Sequence, residues 1–173
     1  MIERFNWKLI IFFLLIHYVQ TLSAQPTRGF YIEKGNTISF HINSIDEIQH
    51  GVTSLNFARF IAFYDDDDGT IGNSNWELTF VAGAIQIVGS NPANTIDLDR
   101  VEIWANTDVA NGATQNWIVL STTETALISN GIERGAAIAM PIDISYRVGV
   151  SNTLVGSESD IYSIDLWFYI KVQ

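Results

Sequence analysis

The sequence predicts an all-β protein: an antiparallel β-sandwich of two packed sheets and about eight to ten strands, with a closed β-barrel as the alternative. Three observations predict it. Ile outnumbers Leu 24 to 11, and branching at Cβ favours the pleated backbone over the helix. Apolar residues recur with a period of two over long stretches. Turn-forming pairs punctuate these stretches at intervals of roughly 10–20 residues.

Four segments carry the period most clearly. Ile38, Phe40 and Ile42 alternate with Ser39, His41 and Asn43. Trp76, Leu78 and Phe80 alternate with Glu77 and Thr79, which places Trp76 in the core. Ile142, Ile144, Tyr146, Val148 and Val150 form the third set. Tyr162, Ile164, Leu166, Phe168, Ile170 and Val172 form the fourth, read as one strand with Trp167 and Tyr169 on its opposite face. Weaker strand candidates are Phe30–Glu33, Leu55–Tyr64, Ala84–Val88, Asp99–Ala105 and Asn116–Ser121. Thr122–Ile128 reads as a short helix or another strand. Glu33-Lys34-Gly35-Asn36, His50-Gly51, Asp68-Gly69, Gly89-Ser90-Asn91-Pro92, Asn111-Gly112, Asn130-Gly131 and Gly156-Ser157 read as turns. There is no low-complexity linker and no clear repeat, so residues 25–173 are read as one domain.

Residues 1–24 have the three-part pattern of a secretory signal peptide. Arg4 and Lys8 give the positive end, Leu9–Val19 is an 11-residue apolar run, and small residues lie at Ser23 and Ala24. A membrane-spanning helix needs about 20 apolar residues, so no span is expected in the mature chain. The expected location is outside the cytoplasm: periplasm, cell surface or extracellular. Removing the leader leaves 7 basic and 18 acidic side chains, a net charge of −11. Such a surface repels phosphates and argues against nucleic acid as a partner. The absence of cysteine excludes disulfides, thiolate metal sites and a catalytic Cys.

Residues Tyr64–Asn75 hold four consecutive carboxylates, Asp65, Asp66, Asp67 and Asp68, followed by Gly69. Their mutual repulsion must be offset by water or by a cation. Calcium takes six to eight oxygens from flexible carboxylates and carbonyls. It would use Asp66 and Asp68 first, then Asp65, Asp67 and Asn73. The loop is not an EF-hand, because Tyr64 stands where the first carboxylate would be and Asn75 where the closing Glu would be. The alternative is a solvated acidic hairpin tip with no cofactor. Asp97, Asp99 and Glu102 form a second acidic group, of the kind glycoside hydrolysis uses in pairs. No Gly-x-Ser-x-Gly is present, and His41 and His50 lie in no zinc-binding pattern, so the chain is read as a non-enzyme.

Trp167, Tyr169, Trp104 and Trp117 are the candidate binding surface, since flat rings offer large contact area to a protein or a sugar face. Asn36–Ile45 and Trp76–Phe80, in a Cys-free, Ile/Asn/Thr-rich chain behind a leader, resemble uncharacterised secreted β-sandwich proteins of the Bacteroidota type. In class the chain also resembles bacterial pilin and adhesin domains, without their Cys pair. The function expected is a secreted, non-enzymatic structural or adhesive subunit, or an accessory of a cell-surface assembly. It would act through protein–protein contacts or self-assembly. The alternative is a carbohydrate-binding module that holds a polysaccharide, assisted by calcium.

Overall fold

A computed structural model describes residues 27–35, 38–108, 112–114, 116–135 and 137–173. The segment expected to be a leader, and the expected turn residues Asn36 and Asn111, lie outside the described residues. In chain order the strands are β1 (Thr27–Lys34), β2 (Ser39–Ile42), β3 (Val52–Asp65), β4 (Asn75–Ala82), β5 (Gln86–Gly89), β6 (Thr95–Asp97), β7 (Val101–Thr107), β8 (Ala113–Thr114), β9 (Ile118–Val119), β10 (Thr125–Ile132), β11 (Met140–Val148), β12 (Asp160–Ser163) and β13 (Leu166–Val172). A single-turn helix, α1 (Ile45–His50), precedes β3.

The strands form three antiparallel sheets, none closed into a barrel. The first has the order β1-β3-β11-β7-β9, the second β13-β4-β10-β8 and the third β2-β12-β5-β6. The pair β13/β4 continues along the chain as β12/β5. The Gly83 amide donates to the Asp165 carbonyl at 2.9 Å where the two pairs meet. The second and third sheets are thus two halves of one bent layer, which packs against the first sheet around a single apolar cluster. Phe60 of β3 meets Phe168 of β13 edge-on at 4.7 Å, and Phe30 of β1 stacks on Phe60 at 5.4 Å. The third sheet adds Phe40, Ile87 and Tyr162 to the same cluster. The alternation of the strands supplies this core directly, and Trp76 is fully buried as expected.

Several expected elements differ in detail. Tyr162–Val172 is two strands, because the chain bends at Ile164 and Asp165 and changes sheet. The period survives the bend, since both halves face the same core. Of Thr122–Ile128 the part from Thr125 on is strand and none is helix, and β10 runs on through Asn130-Gly131, which is therefore no turn. That pair sits at a register irregularity between Ile128 and Gly131. Asn116–Ser121 shrinks to β9. Such breaks raise the strand count among the described residues to 13. Helix α1 was not expected, although its capping box is legible. The Ser44 hydroxyl accepts the Glu47 amide at 3.2 Å, and the Glu47 carboxylate accepts the Ser44 amide at 3.1 Å. Among the described residues no helix is long and apolar enough to cross a membrane.

Candidate functional site

Two regions hold the residues singled out by the sequence. The first is the loop from Asp65 to Ser74, which joins β3 to β4. Its carboxylates turn back on their own backbone. Asp65 accepts the Asp67 amide at 2.8 Å, Asp66 the Asp68 amide at 3.1 Å, and Asp68 the Thr70 amide at 2.7 Å. The Asn73 side-chain amide also donates to Asp68. Such local bonds stabilise the charged form. Accordingly the Asp66 carboxyl is held below its ordinary range, chiefly by the Asp68 amide.

The loop is organised by a residue that sequence reasoning missed. Glu133 follows β10 and is 2% exposed. Its carboxylate accepts the Asp66 amide at 2.8 Å, the Gly72 amide at 3.3 Å and the Ser74 hydroxyl at 3.3 Å. One oxygen each of Asp65, Asp66 and Glu133 lies within 4.8 Å of the others. Of the expected calcium set, then, Asp65 and Asp66 meet Glu133. Asp67, Asp68 and Asn73 do not belong to that group. An oxygen-only set suits a hard cation, yet protein donors already occupy Glu133. No local spacing could have revealed Glu133, because its contact with Asp66 spans 67 residues.

The second region is aromatic. Trp167 and Tyr169 point outward from β13, at 55% and 42% exposure. They stand opposite Val81 and Thr79 of β4. The polar rim beside them is internally bonded. Lys171 pairs with Glu124 at 2.6 Å, Thr79 donates to Glu124, and Gln173 donates to Glu77 at 2.9 Å. The Lys171 ammonium, followed by Thr79, holds the Glu124 carboxyl below its usual range. The result is an exposed pair of rings on one strand with a hydrogen-bonded polar border.

Trp104 and Trp117 lie elsewhere, on the outer side of the first sheet. Their rings are tilted 44° to each other at 5.8 Å, and the Arg147 guanidinium sits 4.5 Å over Trp117. Both are half-buried in this stack. They do not share a surface with Trp167 and Tyr169. Arg147 also makes two bonds to Glu102, at 2.7 and 2.8 Å, and this pairing lowers the Glu102 pKa. Glu102 is 5% exposed, and Asp97 instead accepts the Gln86 side chain at 2.9 Å. Ion-pairing of this kind favours the carboxylate over the acid, the opposite of what a proton donor needs.

Comparison with protein-family models finds no match, and comparison with curated proteins finds none either. The fold and these two regions define the class: a β-sandwich with an acidic loop at one end and an aromatic edge strand.

Proposed function

We propose that this chain is an exported, non-enzymatic subunit, structural or adhesive, or an accessory of a cell-surface assembly, that works by protein contact through β13. The observation that carries this reading is the exposure of Trp167 and Tyr169 side by side on a strand at the end of its sheet. Rings of this kind contribute strongly to interfaces at low entropic cost. An edge strand adds unpaired backbone groups to the same contact.

The test is the double variant Trp167→Ala/Tyr169→Ala. Both side chains are solvent-facing, so the melting temperature should stay within about 2 °C of the parent. Retention of the protein on the surface of producing cells should fall at least tenfold. Unchanged retention would reject the reading.

A second reading, carbohydrate binding, is favoured by the bonded polar border of Glu124, Lys171, Glu77 and Gln173 around the two rings. A glycan panel run on the same variant pair separates the two. Polysaccharide retention lost with the rings would replace the protein-contact reading.

A further inference from the structure

Edge strands expose a row of unpaired N–H and C=O groups, and proteins normally blunt them by shortness, charge, proline or a bulge. Most sheet ends here are blunted. β1 carries Arg28, Glu33 and Lys34 and a register break between Ile32 and Lys34. β8 and β9 have two residues each, β6 three and β2 four. Among the described residues β13 is the exception. It has seven residues, no proline, a single charge at Lys171, and an unbroken register against β4.

The pairing with β4 fixes which way its backbone points. The Asp165 carbonyl receives the Gly83 amide, and the Gln173 amide reaches the Asn75 carbonyl. Odd-numbered residues of β13 therefore bond to β4, and the amides and carbonyls of Leu166, Phe168, Ile170 and Val172 face the open side. The inward row of Leu166, Phe168 and Ile170 remains only partly buried. Beside it a groove of about 310 Å³ runs between β13 and β1, lined by Ile32, Ile38, Phe60, Leu166, Trp167 and Phe168.

We propose that β13 pairs antiparallel with β13 of a second copy of this chain, about a two-fold axis at Phe168. This inference rests on the reading of β13 as a contact element and names its partner. The outward-pointing backbone of Phe168 meets that of its own copy, and Leu166 meets Ile170 on both sides of the axis. On the outer face Trp167 stands opposite Tyr169 of the second copy, and Lys171 opposite Asp165. Symmetry repeats each pair. Aromatic and opposite-charge pairs directly across an antiparallel ladder are stabilising. The neighbouring registers lack this match. An axis at Tyr169 sets Lys171 against Trp167 and Asp165 against Gln173. An axis at Trp167 sets Asp165 against Tyr169 and Lys171 against Ser163. Asp165 and Lys171 are both exposed; the Lys171 ammonium already pairs with Glu124 of its own chain and has further N–H donors to share with Asp165 of the second copy. The contact is isologous and closes on itself, so it yields a dimer and not a fibre.

The chain contains no cysteine, so a disulfide can report the register without background. Asp165→Cys/Lys171→Cys places thiols on residues whose Cα atoms face each other at about 4.5 Å in this pairing. Each single variant puts its thiol about 20 Å from the same thiol of the other copy. Under mild oxidation of the secreted chain, the double variant should give at least tenfold more covalent dimer than either single variant. Equal yields, or no dimer, would overturn the pairing. Trp167→Glu/Tyr169→Glu sets like charges opposite each other and should leave a monomer by sedimentation, with the melting temperature retained. A persistent dimer would also overturn it. If the parent chain is monomeric while Trp167→Ala/Tyr169→Ala still loses cell retention, self-pairing fails and the contact reading stands. If neither assay responds, both fail.

Discussion

Gly131→Ala is expected to destabilise the fold by about 3 kcal/mol, the upper end of the range for overpacking a core. A Cβ on Gly131 would fall inside contact distance of the Trp76 ring. That ring is fully buried and cannot swing aside, because its indole nitrogen donates to the Ile132 carbonyl at 3.2 Å. Gly131 lies in extended strand, so the steric contact is the whole of the argument. The reciprocal change, Trp76→Ala, should cost about 4 kcal/mol through the cavity it leaves. The two effects share one space and must not add. In the Trp76→Ala background the methyl of Gly131→Ala has room, and its cost should fall below about 1 kcal/mol. Denaturant unfolding of the four members of this cycle measures the coupling, and simple additivity would show that the two residues do not touch.

Glu133→Ala is the second large effect, expected at about 2–3 kcal/mol. It leaves the part-buried Asp66 amide and Ser74 hydroxyl, and the Gly72 amide, without their buried acceptor. It also removes the side-chain ties of the β3–β4 loop to the end of β10, leaving the Glu133 amide bonded to the Ser74 carbonyl. The same variant bears on calcium. Three protein donors already hydrogen-bond the Glu133 carboxylate, so melts of the parent chain with calcium and with chelator should coincide within about 1 °C. A rise of several degrees with calcium, abolished by Glu133→Ala, would instead assign Asp65, Asp66 and Glu133 to a metal.

Both effects turn on residues whose roles are set by distant partners, and that is where sequence reading ran out. The strand period places Trp76, Phe80, Ile142 and Tyr162 in the core without any structure. It cannot show that Gly131 is glycine because an indole crosses its backbone. Asn130-Gly131 therefore looks like a turn when it is part of β10. The same period runs unbroken through Ile164 and hides the bend that separates β12 from β13. Asp65 and Asp66 stand out by their clustering, whereas Glu133 has no local signature at all. The aromatic residues split by strand parity. Trp167 and Tyr169 alternate out of a well-patterned strand and are exposed as parity requires. Trp104 and Trp117 depend on Arg147, whose position over the Trp117 ring only the packed sheet reveals. Helix α1 is the opposite case, since Ser44 and Glu47 announce its start and a longer apolar pattern was simply not there to draw attention to it.

The central claim is that this protein acts through the edge made by β13. Site-specific photo-crosslinking in producing cells tests it most directly, with the reactive residue placed at Tyr169 in one strain and at His41 in another. His41 is also exposed but lies on β2, at the end of the third sheet. Position 169 should yield a discrete protein adduct, in several-fold excess over position 41, and a product of twice the chain's mass would identify a second copy. No adduct at 169 above that at 41 would contradict the account.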